Sequence, residues 1–457
     1  MGAVLRDNGY SVNILDSTCE GYYNTMKYSG DYISYGLNDE EIIERINDFK
    51  PDLVGITSMF SEQQVMTDHY CSMVKDYDKN LKIVTGGNPP TFSPEEAIKS
   101  KADFVVMGEG EERLLSLLDS LNKNKTPDFD GLSFKENGKI KINKPCALIE
   151  NLDDIPLPAR DLIDMEKYID VGIPFSPFSL KSRVEQIMTT RGCPFRCSFC
   201  SSTSFWGYRL RKRSVGNVMK EIDVLVNEYK IQEIQFSDDN LTVDKKRAIE
   251  LFKILIPYNL SWCMPNGTMV GTLDNSLIDL MASSGAYQLS FALESGSQRL
   301  LKEVIHKRVP EKKKLKSLIS RCHENNIQVH GMFIVGFPGE TKEDIQKTFD
   351  YPYEIDLDSA SFFVASPLPG SDLYEECKTK NYILDGLADF KSSIINIPRD
   401  SKDYLMDKKE YEYLVDKETK KFNEYIKRTK KEQWETKYSQ FLKRHKDKSN
   451  LISGRVT

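Results

Sequence analysis

Residues 191–200, RGCPFRCSFC, decide the class of this protein and the fold that must support it. They hold Cys193, Cys197 and Cys200 in a C-x3-C-x2-C spacing, directly after a strand-like run at residues 184–190. Soft thiolate ligands select iron–sulfur clusters, copper(I) or zinc. A cubane 4Fe–4S cluster has four irons, so three cysteines leave one iron open to a small molecule. The spacing therefore predicts a 4Fe–4S cluster held by these three side chains.

Two other interpretations of the cysteine triplet remain. A structural zinc site normally has four protein ligands, and the next cysteine and histidine along the chain are Cys263 and His306. Three buried cysteines acting as small apolar side chains fit poorly with the charged neighbours Arg191 and Arg196. The cluster is the interpretation that the spacing favours.

The triplet resembles the signature of the radical S-adenosylmethionine (SAM) superfamily, in which an aromatic residue, here Phe199, precedes the last cysteine. The resemblance implies that SAM chelates the open iron through its amino and carboxylate groups, with Phe199 beside it. One electron from the cluster then cleaves SAM to methionine and a 5′-deoxyadenosyl radical. A small electron-transfer protein such as flavodoxin or ferredoxin is the implied electron donor.

The composition indicates a soluble globular protein of the cytoplasm. The 457 residues are 39% hydrophobic, and no apolar run approaches the roughly eighteen residues that a membrane helix needs. The first residues lack the features of a signal peptide, and six further cysteines are scattered, as in reduced cytosolic proteins. The formal net charge of −6 does not favour nucleic-acid binding. We therefore expect a small-molecule substrate and no membrane partner.

The region from residue 182 to residue 370 alternates strand-like and helical segments. The predicted strands lie at residues 184–190, 233–237, 261–264, 288–293, 328–335 and 360–365. Strands that alternate with helices predict an α/β fold with a parallel sheet and right-handed crossovers. The superfamily resemblance implies a partial (β/α)6 barrel, whose chemistry takes place at the carboxyl ends of the strands.

Three segments at the predicted strand ends resemble motifs with which the superfamily binds SAM. Asp238 opens a D-D-N sequence implied to hold the amino group, while Glu294 and Ser295 open an E-S-G-S sequence implied to meet the ribose or the amino group. Gly336 belongs to GMFIVGFPGE, which resembles the glycine motif beside the adenine. Carboxylates suit an ammonium group, and glycine permits close approach. Each segment alone is also compatible with an ordinary strand-to-helix turn.

Residues 1–125 show a second alternation, with strands predicted at 11–15, 53–57, 82–85 and 104–107. This pattern predicts a doubly wound α/β domain, which binds ligands beyond the carboxyl ends of its strands. The loops there resemble those of the cobalamin (vitamin B12)-binding domain that precedes many radical SAM domains, and a generic nucleotide-type fold is the plainer alternative. The resemblance assigns to cobalamin the small residues at these strand ends, Thr57, Ser58, Gly86, Gly87 and Gly108.

The sequence departs from the cobalamin-domain pattern in two ways. The chain opens with what resembles the first helix and second strand of that domain, so we expect the opening strand to be missing and cobalamin binding to be weak. The D-x-H-x-x-G motif that places a histidine on cobalt is absent. Asp68 and His69 have a different spacing and fall within a predicted helix. We therefore expect cobalamin without a histidine as its lower ligand.

These patterns predict four regions along the chain. We expect a cobalamin-binding-like domain at 1–125, a β-hairpin and linker at 126–181, the barrel at 182–370 and a helical region at 371–457. In the last region one predicted helical face carries Tyr411, Leu414, Val415, Phe422, Tyr425 and Ile426, and another carries Trp434, Tyr438, Phe441 and Leu442. These helices are predicted to cap the barrel.

Aromatic and basic residues follow the cysteine loop at positions 205–213. They permit two interpretations from sequence. The basic side chains could meet an anionic substrate, or the segment could brace the cysteine loop against the next helix.

The resemblance implies a cobalamin-dependent radical SAM methyltransferase that methylates an unactivated carbon of a small molecule. Three other functions stay open: a radical SAM cyclase or oxidative enzyme of the anaerobic porphyrin-ester cyclase type, a tRNA methylthiotransferase, and a non-enzymatic cobalamin carrier or sensor. Cys19, Cys71 and Cys146 do not form the second cysteine set of the methylthiotransferases. The cysteine loop and the strand-end motifs argue against a carrier. No catalytic side chain beyond the cluster ligands can be assigned from sequence.

Overall fold

The structure is a computed structural model that describes residues 1–29, 32–60, 63–172, 179–383 and 403–430. The chain divides into two compact units. The N-terminal unit comprises Met1–Val171, Cys200–Gly207 and Pro367–Ile394. The barrel unit comprises Gly172–Phe199, Tyr208–Ser366 and Ile395–Thr457. Chain segments thus alternate between the units, and the four predicted domain boundaries stay predictions.

The N-terminal unit contains an α/β sheet and a separate short hairpin. Its helices up to residue 171 are α1 (Gly2–Asp7), α2 (Ser17–Glu20), α3 (Asp39–Phe49), α4 (Gln64–Tyr77), α5 (Asn88–Phe92), α6 (Pro94–Lys99), α7 (Glu111–Asn122) and α8 (Met165–Val171). Its strands are β1 (Thr25–Ser29), β2 (Tyr32–Tyr35), β3 (Leu53–Thr57), β4 (Lys82–Gly86), β5 (Phe104–Val106), β6 (Leu132–Glu136) and β7 (Lys139–Ile142).

The main sheet of this unit has the strand order β3-β4-β5-β6-β7. Strands β3 to β5 are parallel, and the hairpin β6–β7 continues the sheet in antiparallel fashion. Ile83 and Val84 are adjacent on β4 and therefore point to opposite faces. Ile83 packs with Val74 of α4, and Val84 packs with Leu117 of α7. Helices thus cover both faces, as the sequence predicted.

The prediction of a strand at residues 11–15 is wrong, because these residues form no strand. In a doubly wound sheet of this kind the first strand lies between the second and the third. Among the described residues, β3 pairs with β4 on one side and with no strand on the other. Residues 11–15 therefore lack the backbone partner that would make them a strand.

The barrel unit supplies most of the remaining elements. The strands from residue 184 onward are β8 (Val184–Ile187), β9 (Thr190–Arg191), β10 (Arg211–Lys212), β11 (Glu233–Phe236), β12 (Ser261–Thr268), β13 (Ala286–Glu294), β14 (Gln328–Val335) and β15 (Ser359–Val364). The helices are α9 (Ser202–Trp206), α10 (Val215–Asn227), α11 (Lys245–Leu255), α12 (Asn275–Ser283), α13 (Gln298–Leu300), α14 (Lys312–Glu324), α15 (Lys342–Glu354), α16 (Asp372–Thr379) and α17 (Lys408–Thr429). None of the helices in the described ranges is both long and apolar enough to cross a membrane.

Six parallel strands form the barrel sheet in the order β15-β14-β13-β12-β11-β8. The predicted βα alternation is therefore confirmed. Trp262 stacks on Phe252 of α11, with the ring centroids 4.8 Å apart, and Phe236 packs edge-to-face on Trp262. Because side chains alternate along a strand, Gln235 and Cys263 face the other side, which is the barrel interior.

Helix α17 packs against β15, the edge strand of the barrel sheet. Tyr411, Phe422 and Ile426 are buried along one face of this helix, which confirms that part of the predicted apolar pattern. An edge strand exposes unpaired backbone groups, and a covering helix prevents their pairing with another chain. The second predicted face, with Trp434 and Tyr438, lies outside the described residues.

Candidate active site

The cysteine loop follows β9 at the carboxyl end of the barrel sheet. Cys193, Cys197 and Cys200 form no disulfide and have partly exposed side chains, so their sulfurs can become thiolate ligands of a cluster. The Ser198 N–H donates to the Ile305 carbonyl at 3.0 Å and ties the loop to the segment after β13. No set of three metal-ligating side chains is preassembled among the described residues. The cluster assignment therefore rests on the spacing of these cysteines and on the comparisons below.

Glu294 ends β13 in a conformation that glutamate rarely adopts. Its φ is +62°, in the left-handed region, and its side chain is only 5% exposed. The Lys307 ammonium donates to Glu294 Oε1 at 2.6 Å, and Lys307 is equally buried. Such backbone strain costs roughly 1–3 kcal/mol and is concentrated at functional sites. The strained turn directs the Glu294 carboxylate toward Lys307.

Lys307 is a site residue that sequence reasoning missed. Burial disfavours its charge, but the carboxylate of Glu294 and the nearby thiols of Cys197 and Cys193 raise the Lys307 pKa above its usual value. The ammonium therefore lies between the strand-end carboxylate and two of the cysteines. Lysine is almost never fully buried unless it is paired, yet nothing in the sequence around residue 307 reveals that burial.

Asp238 is buried at the end of β11 and has protein partners for its carboxylate. Its Oδ1 accepts from the Thr189 hydroxyl at 2.8 Å and the Thr190 hydroxyl at 2.5 Å, and the Thr189 N–H also donates to it. Burial raises the pKa of Asp238, although these donors favour its charged form. The structure therefore connects Asp238 to the strand that leads into the cysteine loop. Direct contact with SAM stays a prediction for this residue.

Ser295 also points into the protein. Its hydroxyl lies 2.8 Å from the Thr348 hydroxyl of α15 and accepts from the Ser297 N–H at 3.0 Å. Ser297 in turn donates to Asp344 at 2.5 Å. This network holds the turn after Glu294 against α15. Ser295 therefore supports that turn, and its direct contact with SAM stays a prediction.

Gly336 and Phe199 meet through the turn that follows β14. Gly336 has a φ of +88°, and its N–H donates to Glu340 Oε2 at 2.5 Å. Phe337 packs edge-to-face on Phe199 of the cysteine loop, with ring centroids 6.0 Å apart. A Cβ at Gly336 would lie 3.5 Å from the ring of Tyr411. The glycine turn is thus fixed by Glu340 on one side and by α17 on the other.

Glu340 should make the stability of the protein depend on pH. Burial raises its pKa from the usual 4.5 to about 8, although the Gly336 and Phe337 N–H groups favour the charged form. A raised carboxyl pKa stabilises the fold below about pH 4.5, and this contribution is lost as the pH rises through about 8. We expect the free energy of unfolding, measured by denaturant titration, to fall by up to about 5 kcal/mol across this pH range because of Glu340, and the Glu340→Gln variant to lack this fall. If the free energy of unfolding depended on pH in the same way in both proteins, this role of Glu340 would be contradicted.

The basic residues after the cysteine loop are already engaged within the barrel unit. Arg211 is buried, Lys212 is ion-paired with Asp244, and Arg213 is ion-paired with Glu221 at 2.5 Å. Arg213 also donates to the Met188 carbonyl before the loop. These contacts support the interpretation that the segment braces the loop rather than meeting a substrate.

In the N-terminal unit, the strand ends predicted for cobalamin lie side by side. Thr57 and Ser58 end β3 beside Gly86 of β4, and the Ser58 N–H donates to the Gly86 carbonyl at 2.9 Å. Gly87 has a φ of +107°, and a Cβ there would lie 1.9 Å from the Ser58 carbonyl oxygen. Only glycine fits this approach. The two strand ends thus form a surface of backbone with few side chains.

Thr91 and two apolar residues extend that surface. The Thr91 hydroxyl donates to the Gly87 carbonyl at 2.6 Å and accepts from the Gly108 N–H at 2.9 Å, so it links the loops after β4 and β5. Met59 and Phe60 follow Ser58 and are 58% and 56% exposed. Exposed apolar side chains beside bare backbone suit a large, flat, partly apolar ligand.

His69 is not placed as a metal ligand. It lies within α4, and its Nε2 is 2.9 Å from both carboxylate oxygens of Asp39 on α3. This surface pair agrees with the predicted absence of a histidine lower ligand, which itself stays a prediction.

Comparison with known proteins assigns both units. Residues 187–351 match the radical SAM superfamily, and residues 1–118 match the B12 binding domain. The chain is 37% identical over 463 residues to the cytidylyl-2-hydroxyethylphosphonate methyltransferase of Streptomyces wedmorensis, covering 93% of this chain and 85% of the relative. It is 36% identical over 359 residues to an uncharacterised methyltransferase of Pyrococcus horikoshii, covering 78% and 75%.

The chain belongs to the cobalamin-dependent radical SAM methyltransferases. The fold agrees with the solved structure of the radical SAM methyltransferase TsrM from Kitasatospora setae, with a TM-score of 0.66 and 19% identity over 82% of this chain and 72% of that one. The predicted family and chemistry are therefore confirmed, in preference to cyclisation, methylthiolation or a carrier role.

The methyltransferase requires a 4Fe–4S cluster, SAM and cobalamin, and the described residues fit all three. The three cysteines, which form no disulfide, suit the cluster, and the buried pair of Lys307 and Glu294 offers opposite charges beside it. The bare strand ends around Gly87, bordered by exposed Met59 and Phe60, suit a corrin. The individual residue assignments stay predictions.

Replacing Gly87 should impair the cobalamin site of the methyltransferase. Gly87→Val forces a Cβ onto the Ser58 carbonyl at a positive φ, and strain of about 1–3 kcal/mol weakens binding by roughly five- to a hundred-fold. Optical titration with hydroxocobalamin measures this. His69→Ala is the control and should leave the spectrum unchanged in the base-off form. Equal titration curves for Gly87→Val and the unchanged protein would contradict the placement.

Proposed function

We propose that this methyltransferase methylates an unactivated carbon of a small molecule that carries a phosphonate or phosphate group. The observation that carries the proposal is the 37% identity to a cytidylyl-2-hydroxyethylphosphonate methyltransferase, which extends over 93% of this chain and 85% of the relative. An alignment of that length includes the strand ends and the segments between them. A substrate of the same chemical class is therefore the first to test.

The chain's own residues would position the reactants. When bound, the cluster, SAM and cobalamin supply the radical that activates a substrate C–H bond and the methyl group that replaces the hydrogen. Lys307 and Glu294 present opposite charges that match a carboxylate and an ammonium. Phe199 and Phe337 form an apolar wall against the glycine turn. Glu340 holds that turn through the Gly336 N–H.

The test uses protein reconstituted anaerobically with iron, sulfide and hydroxocobalamin. It is supplied with reductant, SAM carrying a deuterated methyl group, and either 2-hydroxyethylphosphonate or its cytidylyl ester. Mass spectrometry should show a deuterated methyl group on a carbon of one of these substrates. Formation of 5′-deoxyadenosine without any methylated phosphonate or phosphate ester would rule out this substrate class.

The electron donor and compartment are part of the same proposal. We expect a flavodoxin or ferredoxin to reduce the cluster, because the cluster chemistry needs single electrons. The cysteines of the described residues form no disulfide, which fits a reducing cytoplasm. Reduced flavodoxin should therefore support 5′-deoxyadenosine formation in place of a chemical reductant, and failure of both flavodoxin and ferredoxin would contradict this part.

A further inference from the structure

A cavity of about 340 Å³ opens on the barrel unit beside the active site. It is lined by Gly271, Arg308, Val309, Pro310, Glu311 and Lys314. Gly271 follows the carboxyl end of β12, and Arg308 to Lys314 connect the segment after β13 to the start of α14. In a βα unit the helix begins on the side where the preceding strand ends. The cavity therefore lies on the same face of the barrel as the cysteine loop.

Two cations in this lining have no partner among the residues that the structure describes. Arg308 and Lys314 are exposed, and neither forms an ion pair or a side-chain hydrogen bond with any other described residue. Neighbouring lysines differ in this respect, since Lys307 is paired with Glu294 and Lys312 with Glu354. The cavity thus presents an arginine and a lysine whose donors are available to a ligand.

The surrounding segment concentrates positive charge in an otherwise acidic chain. Residues 302–316 contain seven lysine or arginine side chains and two glutamates, whereas the whole chain has a net charge of −6. The first turn of α14 contains lysines and no acidic residue, and no side chain caps it. Cations at a helix N-terminus oppose its dipole. An anion in the cavity would relieve this repulsion, even though Glu311 contributes one carboxylate to the lining.

The lining of the cavity includes Arg308, the residue that directly follows Lys307 of the buried Lys307–Glu294 pair. Lys307 is buried beside Glu294 and close to Cys197, and Arg308 is the next residue, exposed to the cavity. Consecutive Cα atoms are about 3.8 Å apart. A small molecule held by its anionic end at Arg308 would therefore have the rest of its structure near the mouth of the barrel, where the reacting carbon belongs.

We propose that Arg308 and Lys314 form the subsite that binds the phosphonate or phosphate group of the substrate. This inference rests on the proposed function and names the residues that recognise its anionic group. Arginine suits this role because its planar guanidinium can donate two parallel hydrogen bonds to such an oxyanion. The site is a shallow, open depression of about 340 Å³, which is large enough for the anionic end of a small molecule.

The test compares Arg308→Ala and Lys314→Ala with the control Lys316→Ala, an exposed lysine on α14 outside the cavity. Calorimetry on the reconstituted holoenzyme measures binding of inorganic phosphate, 2-hydroxyethylphosphonate and its cytidylyl ester. We expect each cavity variant to weaken binding about ten- to a hundred-fold and the control to change it less than about twofold. The SAM affinity of all variants should equal that of the unchanged protein.

Four outcomes separate this inference from the proposed function. Equal phosphonate affinity in the cavity variants and the unchanged protein overturns the subsite, even if methylation is observed. Binding of phosphate that is lost in both cavity variants supports the subsite, even if no phosphonate is methylated. Absence of binding to every probe overturns it. The inference is also overturned if the two cavity variants form less 5′-deoxyadenosine only when reduced flavodoxin replaces the chemical reductant. In that case the two cations would bind the protein that donates electrons.

Discussion

Replacement of Cys197 by alanine is expected to remove most of the iron from the reconstituted methyltransferase. Two remaining thiolates hold a cubane cluster poorly, because each protein-bound iron needs its own cysteine. Iron analysis together with Mössbauer and electron paramagnetic resonance spectra measures the loss. The unchanged protein should show one cubane whose spectrum shifts when SAM is added. Formation of 5′-deoxyadenosine should fall to background in the variant.

Cys146→Ala is the matched control for this experiment. Cys146 is also a free, partly exposed thiol, but it lies in the N-terminal unit, where its Sγ is 3.6 Å from the Met107 carbonyl oxygen. Iron content should be unchanged in this variant. Full iron content in Cys197→Ala would instead show that the cluster assignment is wrong, whatever the control does.

Glu294→Ala is expected to weaken SAM binding by roughly ten- to a hundred-fold, because a charge-assisted hydrogen bond is worth about 1.5–3 kcal/mol. The change also leaves the Lys307 ammonium buried without its carboxylate, which costs about 3–5 kcal/mol when one partner of a buried pair is removed. The variant should therefore also unfold at a lower temperature. SAM affinity is measured by calorimetry on the reconstituted protein, and the cluster should still assemble.

Two further variants separate a local effect from a general one. Glu228→Ala removes an exposed glutamate of the barrel unit and should leave SAM binding unchanged. Asp238→Ala removes the acceptor of the Thr189 and Thr190 hydroxyls and should act mainly through the strand before the cysteine loop. Unchanged SAM affinity and cleavage in both Glu294→Ala and Asp238→Ala would mean that the motifs are misplaced.

The sequence predicted the barrel well because its signals are local. Alternating apolar runs and amphipathic helices mark β8 and β11 to β15 to within four residues at each end, and polar residues after each strand mark the face that carries the site. The prediction of a strand at residues 11–15 was wrong because strand formation also depends on residues far away in the chain. Its apolar pattern is local, but a strand exists only where a neighbour supplies backbone partners, and that neighbour is absent from the described residues.

The roles of side chains at the site were harder to predict than their positions. The position of a motif cannot show that Asp238 and Ser295 are hydrogen-bonded to threonines of other elements. These hydrogen bonds join residues that are 48 to 53 positions apart in the chain. Lys307 was missed because its burial depends on Glu294, thirteen residues earlier, and on the cysteine loop. Charge pairs between distant elements have no signature in a single sequence.

The contact of Tyr411 with the glycine turn has a consequence for biosynthesis. Tyr411 is seventy-five residues later in the chain than Gly336, yet its ring backs the turn that Glu340 holds. A ribosome must therefore translate and release α17 before this wall of the site is supported. Nascent chains that stop before residue 408 would have all three cluster cysteines but an unsupported turn. A chain truncated before α17 therefore keeps the cysteine loop but loses the ring that packs against the glycine turn.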